Sequence, residues 1–417
     1  MSLFNALNTA VSGLNAQSHA FSDLSNNIAN SQTVGYKSTG TSFSDYVTAQ
    51  TKASLQGSSD SVAAVTTQNT EYQGSVTTSS NPLGMAISGR GFFSVLAPSG
   101  GTTAQGTTSF NTQNFYTRNG DFSQNSDGYL VNTSGYYLQG YQVQNGGSLS
   151  TNISPIQVSS NLSFQPTKST SLTVSGVVGS TATTGVMTST TATAYDSQGA
   201  AHNVTLNWQQ SASDPLTWTV SNGNDYSNQT SVVFNTDGSL KSVGGTVGTN
   251  GTSAVFNYAG APQNLSVKLG TIGGTSGVSL GTSSSASSSL VTTSDSVTSG
   301  NYTGLSVQKD GSIMASFDNG LSQLVAKVPL ATFADPDSLS VQNGQAYTAT
   351  SGSGGASLNA VGTNGAGSLA TSSLESSTTD LTGDLTKLVV AQQAYGANTK
   401  VVSTSNQMLQ TTLAMIQ

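Results

Sequence analysis

Residues able to do chemistry are scarce in this sequence. His occurs only at His19 and His202, Glu only at Glu71 and Glu375, and Cys not at all in 417 residues. A zinc centre built on thiolates or imidazoles gathers several Cys or His ligands, and thiol chemistry needs a Cys nucleophile, so both lack parts. Asp196 and His202 stand six residues apart among many Ser, enough to sketch a Ser-His-Asp triad. A triad is defined by geometry, however, and no Gly-x-Ser-x-Gly elbow frames a nucleophile; His202 is expected at a solvated strand end. Gly89-Arg90-Gly91 before Phe92-Phe93 could suggest a phosphate-cradling loop, but no Lys in the chain follows a Gly, so a Walker A motif is absent and a tight turn is expected. Asp335-Pro336-Asp337 and the scattered Asp-Gly pairs fall short of a calcium loop and read as turns. No catalytic, cofactor-binding or metal-ligating residue is assigned, no cofactor is implied, and an enzyme is not expected.

Composition narrows the classes further. Charged residues make up 7% of the chain, 11 Lys+Arg against 18 Asp+Glu, with net charge -7 and a pI near 4.5. An ordinary globular protein carries about 25% charged residues, so this surface is built from Ser, Thr, Asn, Gln and Gly. No basic run offers a footprint for phosphate backbones, which argues against a nucleic-acid partner. Without Cys, stability rests on packing and assembly rather than disulfides. Met1 to Ala20 has no basic n-region, no continuous apolar stretch and no cleavage site, and no apolar run reaches 18 residues. Neither Sec export nor membrane insertion is expected.

The elements that would position anything are clearest at the two ends. Leu7, Leu14, Phe21 and Ile28 recur every seven residues, with Leu3, Ala10, Gln17 and Leu24 between them, a coiled-coil seam over residues 3–30. Leu381, Leu388, Tyr395, Val402, Leu409 and Ile416 hold one position of a second seam, and Leu385, Gln392, Thr399, Asn406 and Leu413 the other. Gln392, Thr399 and Asn406 are polar where a maximally stable seam is apolar; such residues fix register at the expense of stability. Periodicity alone fits both a hairpin within one chain and association between chains.

Between the ends the pattern is β. Residues 31–82 are polar with spaced aromatics, Tyr36, Phe43, Tyr46 and Tyr72, and read as an extended connector. From 83 to 154, short apolar runs alternate with turn signals such as Ser126-Asp127-Gly128, and the same punctuation returns over 299–374. Residues 155–298 hold the β-favouring segments Leu172–Val178, Val204–Gln209, Leu216–Val220, Val232–Phe234, Val255–Tyr258 and Leu265–Leu269, and read as an inserted domain. Gly281–Ser289 and Ser351–Gly355 are low-complexity loops. At about 150 residues per domain, roughly three domains are expected. The fold class is mainly β and multidomain: terminal coiled-coil helices at 1–30 and 375–417, and nested β domains between them.

Specific motifs then add a family resemblance. Ser12-Gly13-Leu14-Asn15-Ala16, then Asn26-Asn27-Ile28-Ala29-Asn30, then Gly35-Tyr36-Lys37, resembles the N-terminal signature of the bacterial flagellar rod and hook axial proteins. Asn30 suits a helix end and Gly35 a turn with positive φ. Leu374-Glu375-Ser376-Ser377 with Ala391-Gln392-Gln393-Ala394-Tyr395 resembles the other end of the family, departing at Gln393, where Arg is usual, and at Thr378-Thr379, where Asn-Val is common. Ile87 to Phe93 and Tyr116 to Phe122 are similar to the body domain shared by rod and hook members. Ala194-Tyr195-Asp196-Ser197-Gln198-Gly199 with Val204 to Trp208 and Trp218 to Val220 is similar to the outer domain of the hook branch.

The resemblance implies a structural subunit, exported by the flagellar type III apparatus, that polymerises with copies of itself outside the cell into a curved, flexible tube passing torque from motor to filament. It implies paired terminal helices forming an inner tube, with Leu7, Leu14, Phe21, Leu24, Ile28, Leu381, Leu385, Leu388, Tyr395, Val402, Leu409 and Leu413 on the polymerisation seam. Implied partners are the rod, the hook cap, the hook–filament junction proteins and the export apparatus. A distal rod protein, a secreted Ser/Thr-rich β adhesin and, more remotely, a secreted Ser hydrolase are the alternatives.

Overall fold

The computed structural model describes residues 3–46, 61–102, 108–144, 147–179, 187–223, 225–247, 249, 251–258, 264–274, 276–281 and 288–415. Two compact units emerge. The first comprises 1–160, 303–316 and 322–417, the second 161–302 and 317–321.

In the first unit, α1 (Leu3–Ala29) and α2 (Leu381–Ala414) pack against each other. Asp380 caps α2, its carboxylate accepting from the Gly383 amide at 3.1 Å, one of the donors that a helix start leaves without a partner. Residues 375–380, expected within the terminal helix, instead hold the end of the Ser373–Glu375 strand and a Ser/Thr turn. Ser and Thr hydroxyls compete for backbone partners here: Ser377 Oγ accepts from the Thr379 amide at 3.2 Å, which delays the helix to the Asp380 cap.

Residues 31–82 are also more than an extended connector. β1 (Thr39–Tyr46) and β2 (Ser61–Gln68) form an antiparallel hairpin in register Thr39↔Gln68 to Tyr46↔Ser61, and it packs on α1. Its alternation was hidden because hydroxyls rather than apolar groups face inward: Asp23 accepts from Thr41 Oγ1 at 2.6 Å and from Thr66 Oγ1 at 3.1 Å. β3 (Val76–Thr78) then pairs with Ser373–Glu375. Of the aromatic anchors, Tyr36 is half-buried and Phe43 and Tyr72 are exposed, while the Tyr46 side chain lies outside the described residues. The body follows: β4 (Met85–Ser88) pairs with Ser368–Thr371, and β5 (Phe92–Thr102) and β6 (Thr108–Thr117) are central to an antiparallel sheet that also takes in Tyr137–Gln142, Ala346–Thr348 and Ser340–Gln342. Phe92, Tyr116, Phe333 and Tyr347 pack edge-to-face in its core. Helices, hairpin and body therefore form one unit where three parts were expected.

The second unit is a β sandwich. One sheet is a meander through Met187–Tyr195, Ala201–Gln210, Thr217–Asn222, Asp225–Phe234 and Leu240–Val243; the other pairs Ser253–Tyr258, Leu265–Thr271, Ser171–Val178 and Val278–Leu280. Trp208, Trp218, Leu172, Val174, Val232 and Val267 are fully buried in the shared core. The six β-favouring segments fall in or beside these strands. Met187–Tyr195 and Ser289–Ser294 were not anticipated, because their alternating residues are mostly Thr and Ser. The expected start at 155 moves to 161: Ser154–Pro155 pairs with Gln139–Gly140, and Ile156 and Val158 are buried within the first unit. Gly281–Ser289 lies largely outside the described residues.

Candidate functional site

The triad sketched on Asp196 and His202 resolves into a turn. His202 Nε2 and Asp196 Oδ2 are 3.0 Å apart, and Asp196 Oδ1 also accepts from the Gln198 and Ala200 amides at 2.9 and 2.8 Å, closing the loop between two strands. The His202 hydrogen bond, then the Ala200 amide, hold the Asp196 carboxyl below the usual carboxylate range. Gly89 and Gly91 adopt φ of 102° and 129°, the tight turn expected. Among the described residues no group of three or more His, Cys, Asp or Glu side chains is placed to hold a metal ion.

The helix pair carries the first candidate site. Leu7, Leu14, Leu24, Ile28, Leu388, Val402 and Leu409 are half-buried, whereas Phe21, Leu381, Leu385, Tyr395 and Leu413 are exposed. The buried residues described on α1 are Ala10, which holds an expected seam position, and Ala16, Ala20, Asp23 and Asn27, the last two bonded to the β1–β2 hairpin; on α2 they are Asp384, Ala391 and Ser405. On α2 the position expected at Leu385, Gln392, Thr399 and Asn406 thus moves one residue back, to Asp384, Ala391, Asn398 and Ser405. Small side chains explain this shift, because they let two helices approach closely. A Cβ on Gly13 would stand 2.9 Å from Asn398 Nδ2. Gln392, Thr399 and Asn406 face outward, as does Gln393. The Leu3 side chain and Ile416 lie outside the described residues.

The second candidate site is where the signature residues meet. Asn27 Oδ1 accepts from the Thr39 amide at 3.0 Å and Tyr36 OH at 3.2 Å, while its Nδ2 donates to Thr39 O at 2.8 Å, fixing the start of β1 to the end of α1. Asn30 Nδ2 donates to Asn26 O at 2.9 Å, and Thr33 Oγ1 donates to Asn30 Oδ1 at 3.1 Å. Asn26 and Ala29 are exposed and Ile28 is half-buried. Gly35 has φ 70°, and a Cβ there would lie 2.6 Å from the Arg118 carbonyl carbon, so this turn needs Gly for conformation and for space.

Lys37 then reaches a sealed charge cluster. Its Nζ lies 2.6 Å from Glu375 Oε1 and also donates to Tyr72 O, and Arg118 Nη1 lies 3.3 Å from Glu375 Oε2. All three side chains are at most 2% exposed. The second positive charge is met by Gly89 O at 2.7 Å from Arg118 Nη2 and by the Phe92 ring, 5.2 Å below the guanidinium. Burial first, and then Arg118, push the Lys37 ammonium down, while Glu375 opposes both. Burial likewise lowers Arg118. Thr378 Oγ1 accepts from the Ser38 amide at 2.8 Å, and Thr379 Oγ1 donates to Asn27 O at 3.2 Å, so the departure at Thr378-Thr379 keeps contacts with the N-terminal segment. Glu375 and Arg118 both stand inside the family motifs, but nothing local in the sequence pairs them. Their scarcity was the available signal, for the chain has two Glu and two Arg.

Comparisons with known proteins fall on these same segments. Residues 7–37 match a flagella basal body rod protein model, and 370–415 match the C-terminal model of the flagellar basal body rod FlgEFG proteins. Helix pair and junction thus define a flagellar axial protein. Residues 86–179 match the flagellar hook protein FlgE/F/G D1 domain, and 161–384, more than half of the chain, match the flagellar basal body protein FlaE D2 domain. The chain is 29% identical to the flagellar hook protein FlgE of Brucella abortus, over 98% of each chain, and 29% identical to that of Escherichia coli K12, over 97% of this chain and 98% of the other. The solved hook protein FlgE2 of Helicobacter pylori is similar with TM-score 0.43 and 15% identity, over 68% of this chain and 96% of its own. This chain belongs to the flagellar hook protein family. It is a structural subunit of the flagellar hook, not an enzyme.

Proposed function

We propose that copies of this chain join through the apolar face that α2 leaves uncovered, and that the paired helices α1 and α2 thereby line an inner tube. The observation carrying this reading is that face: Leu381, Leu385, Val389, Val390 and Tyr395 are 44 to 60% exposed, and Leu413 is 65% exposed. Apolar side chains contiguous on a helix and open to water mark an association surface. Phe21 of α1, 40% exposed, adds to it.

In this reading the polymer is a curved, flexible tube that passes torque from rod to filament as a universal joint. Its partners are the rod, the hook cap and the hook–filament junction proteins, and it leaves the cell through the flagellar type III apparatus. A surface of hydroxyls and amides with 7% charged residues supports flexibility, since such contacts exchange neighbours at small cost. Electron microscopy of a Val389→Asp/Val390→Asp chain tests the assembly surface. Folded monomers without tubes are expected, and tubes of normal form would refute the assignment.

A further inference from the structure

Two cations and one carboxylate are sealed together where three distant stretches of chain cross. We propose that the Lys37–Glu375–Arg118 cluster is a clamp that makes the order of each chain end conditional on the other, with Glu375 as its central positioning residue. The clamp acts within one chain and stands whether or not that chain polymerises.

Glu375 carries the only negative charge of the trio, and its two oxygens take different partners. Oε1 accepts from Lys37 Nζ and, at 2.9 Å, from the Gly74 amide; Oε2 faces Arg118. Its backbone oxygen accepts from the Gly35 amide at 2.8 Å. Neutralising Glu375 leaves two buried cations without an opposing charge, the costly half of breaking a buried pair. Around it, hydrogen bonds run in both directions between the ends: the Thr378 amide donates to Tyr36 O at 3.1 Å, and the Ser38 amide donates to Thr378 Oγ1 at 2.8 Å. Asn27 links both to the end of α1 through Thr39 and Thr379. Gly35 sits against the Arg118–Asn119 backbone with no room for a side chain, so residues 33–39 seat only on a formed body. Loss of either terminal segment therefore uncovers the charges that hold the other.

Hydrogen exchange on the full-length monomer separates a clamp from a local contact. In Glu375→Gln the Gly74 amide faces a side-chain amide in place of the carboxylate, so a change at Gly74 alone reports only that local contact. A clamp further requires Gly35, Ser38, Thr39 and Thr378 to exchange at least tenfold faster while the amides of β5 and β6 keep their protection. Faster exchange confined to Gly74, or no change, overturns the proposal. Should β5 and β6 also lose protection, Lys37→Met supplies the test, because it leaves Arg118 and Glu375 matched one to one. Ser38 and Thr378, on opposite ends of the chain, must then both exchange at least tenfold faster; a change at Ser38 alone, or at neither, overturns it.

Discussion

The first unit and the second unit are stabilised in opposite ways. In the first, Lys37, Arg118, Glu375, Asp23 and Asp384 are all buried, brought together from both ends and the middle of the chain. In the second, the buried polar residues among those described are Ser, Thr and Gln, none charged, around an apolar core drawn from one stretch of sequence. A continuous segment with an apolar core collapses without waiting for remote partners. Terminal segments seated by buried charge order only when their last partner arrives, because a half-formed cluster is worse than none. The contrast suits a chain whose ends order late and whose middle is self-sufficient.

This contrast can be broken first at Trp218. Both Trp of the chain lie in the second unit, so indole fluorescence reports that unit alone. Trp218→Ala is expected to destabilise it by about 3–5 kcal/mol, read as an earlier denaturant midpoint of Trp208 emission, with amide protection in the first unit unchanged. A parallel loss in both units would mean that they fold together.

Gly35→Ala probes the other side. The left-handed backbone costs about 1–2 kcal/mol and the overlap with Arg118 adds to it, for a total near 3 kcal/mol. The expected outcome is early loss of protection at residues 33–41 and 372–380 with the Trp midpoint unmoved.

Within the first unit, Ala391→Leu and Leu385→Ala sharpen the distinction between the two faces of α2. Ala391 is buried against α1, and a larger side chain there should cost about 1–3 kcal/mol by overpacking. Leu385, 45% exposed, should change monomer stability by less than about 0.5 kcal/mol while weakening assembly. Equal effects in the monomer would show that both faces are covered within one chain.

The smallest effect expected is at acid pH. Asp196, Asp214 and Asp237 are held below the ordinary value of 3.8 by side-chain hydrogen bonds from His202, Thr217 and Ser239. At Asp295 burial pushes upward, but hydrogen bonds from Thr170 and Ser171 outweigh it. Carboxyls depressed in the fold stabilise it above pH 3.8, and that contribution fades as pH falls through the lowered values. All four lie in the second unit, so its Trp emission should shift in this acid window; in the first unit burial pushes Asp310 upward but hydrogen bonds from Ser312 outweigh it, and that unit loses a smaller contribution over the same window.

Periodic or apolar stretches were legible in the sequence. The six apolar strand segments, the two terminal helices, the Gly35 turn and the family signature could be read because local pattern and backbone chemistry determine them. The hairpin at 39–46 and 61–68 was not legible, since its inward groups are Thr hydroxyls whose partner, Asp23, reveals itself only when α1 is in place. The heptads located the helices but not which side chains close them: Phe21, Leu381, Leu385, Tyr395 and Leu413 stay exposed, and one α2 position shifts back to Asp384, Ala391 and Ser405, which carry little hydrophobic signal. Glu375 is the plainest case. Its rarity is visible in the sequence, but its role depends on Lys37 lying 338 residues away and Arg118 257 residues away, and only the folded chain brings those charges within hydrogen-bonding distance.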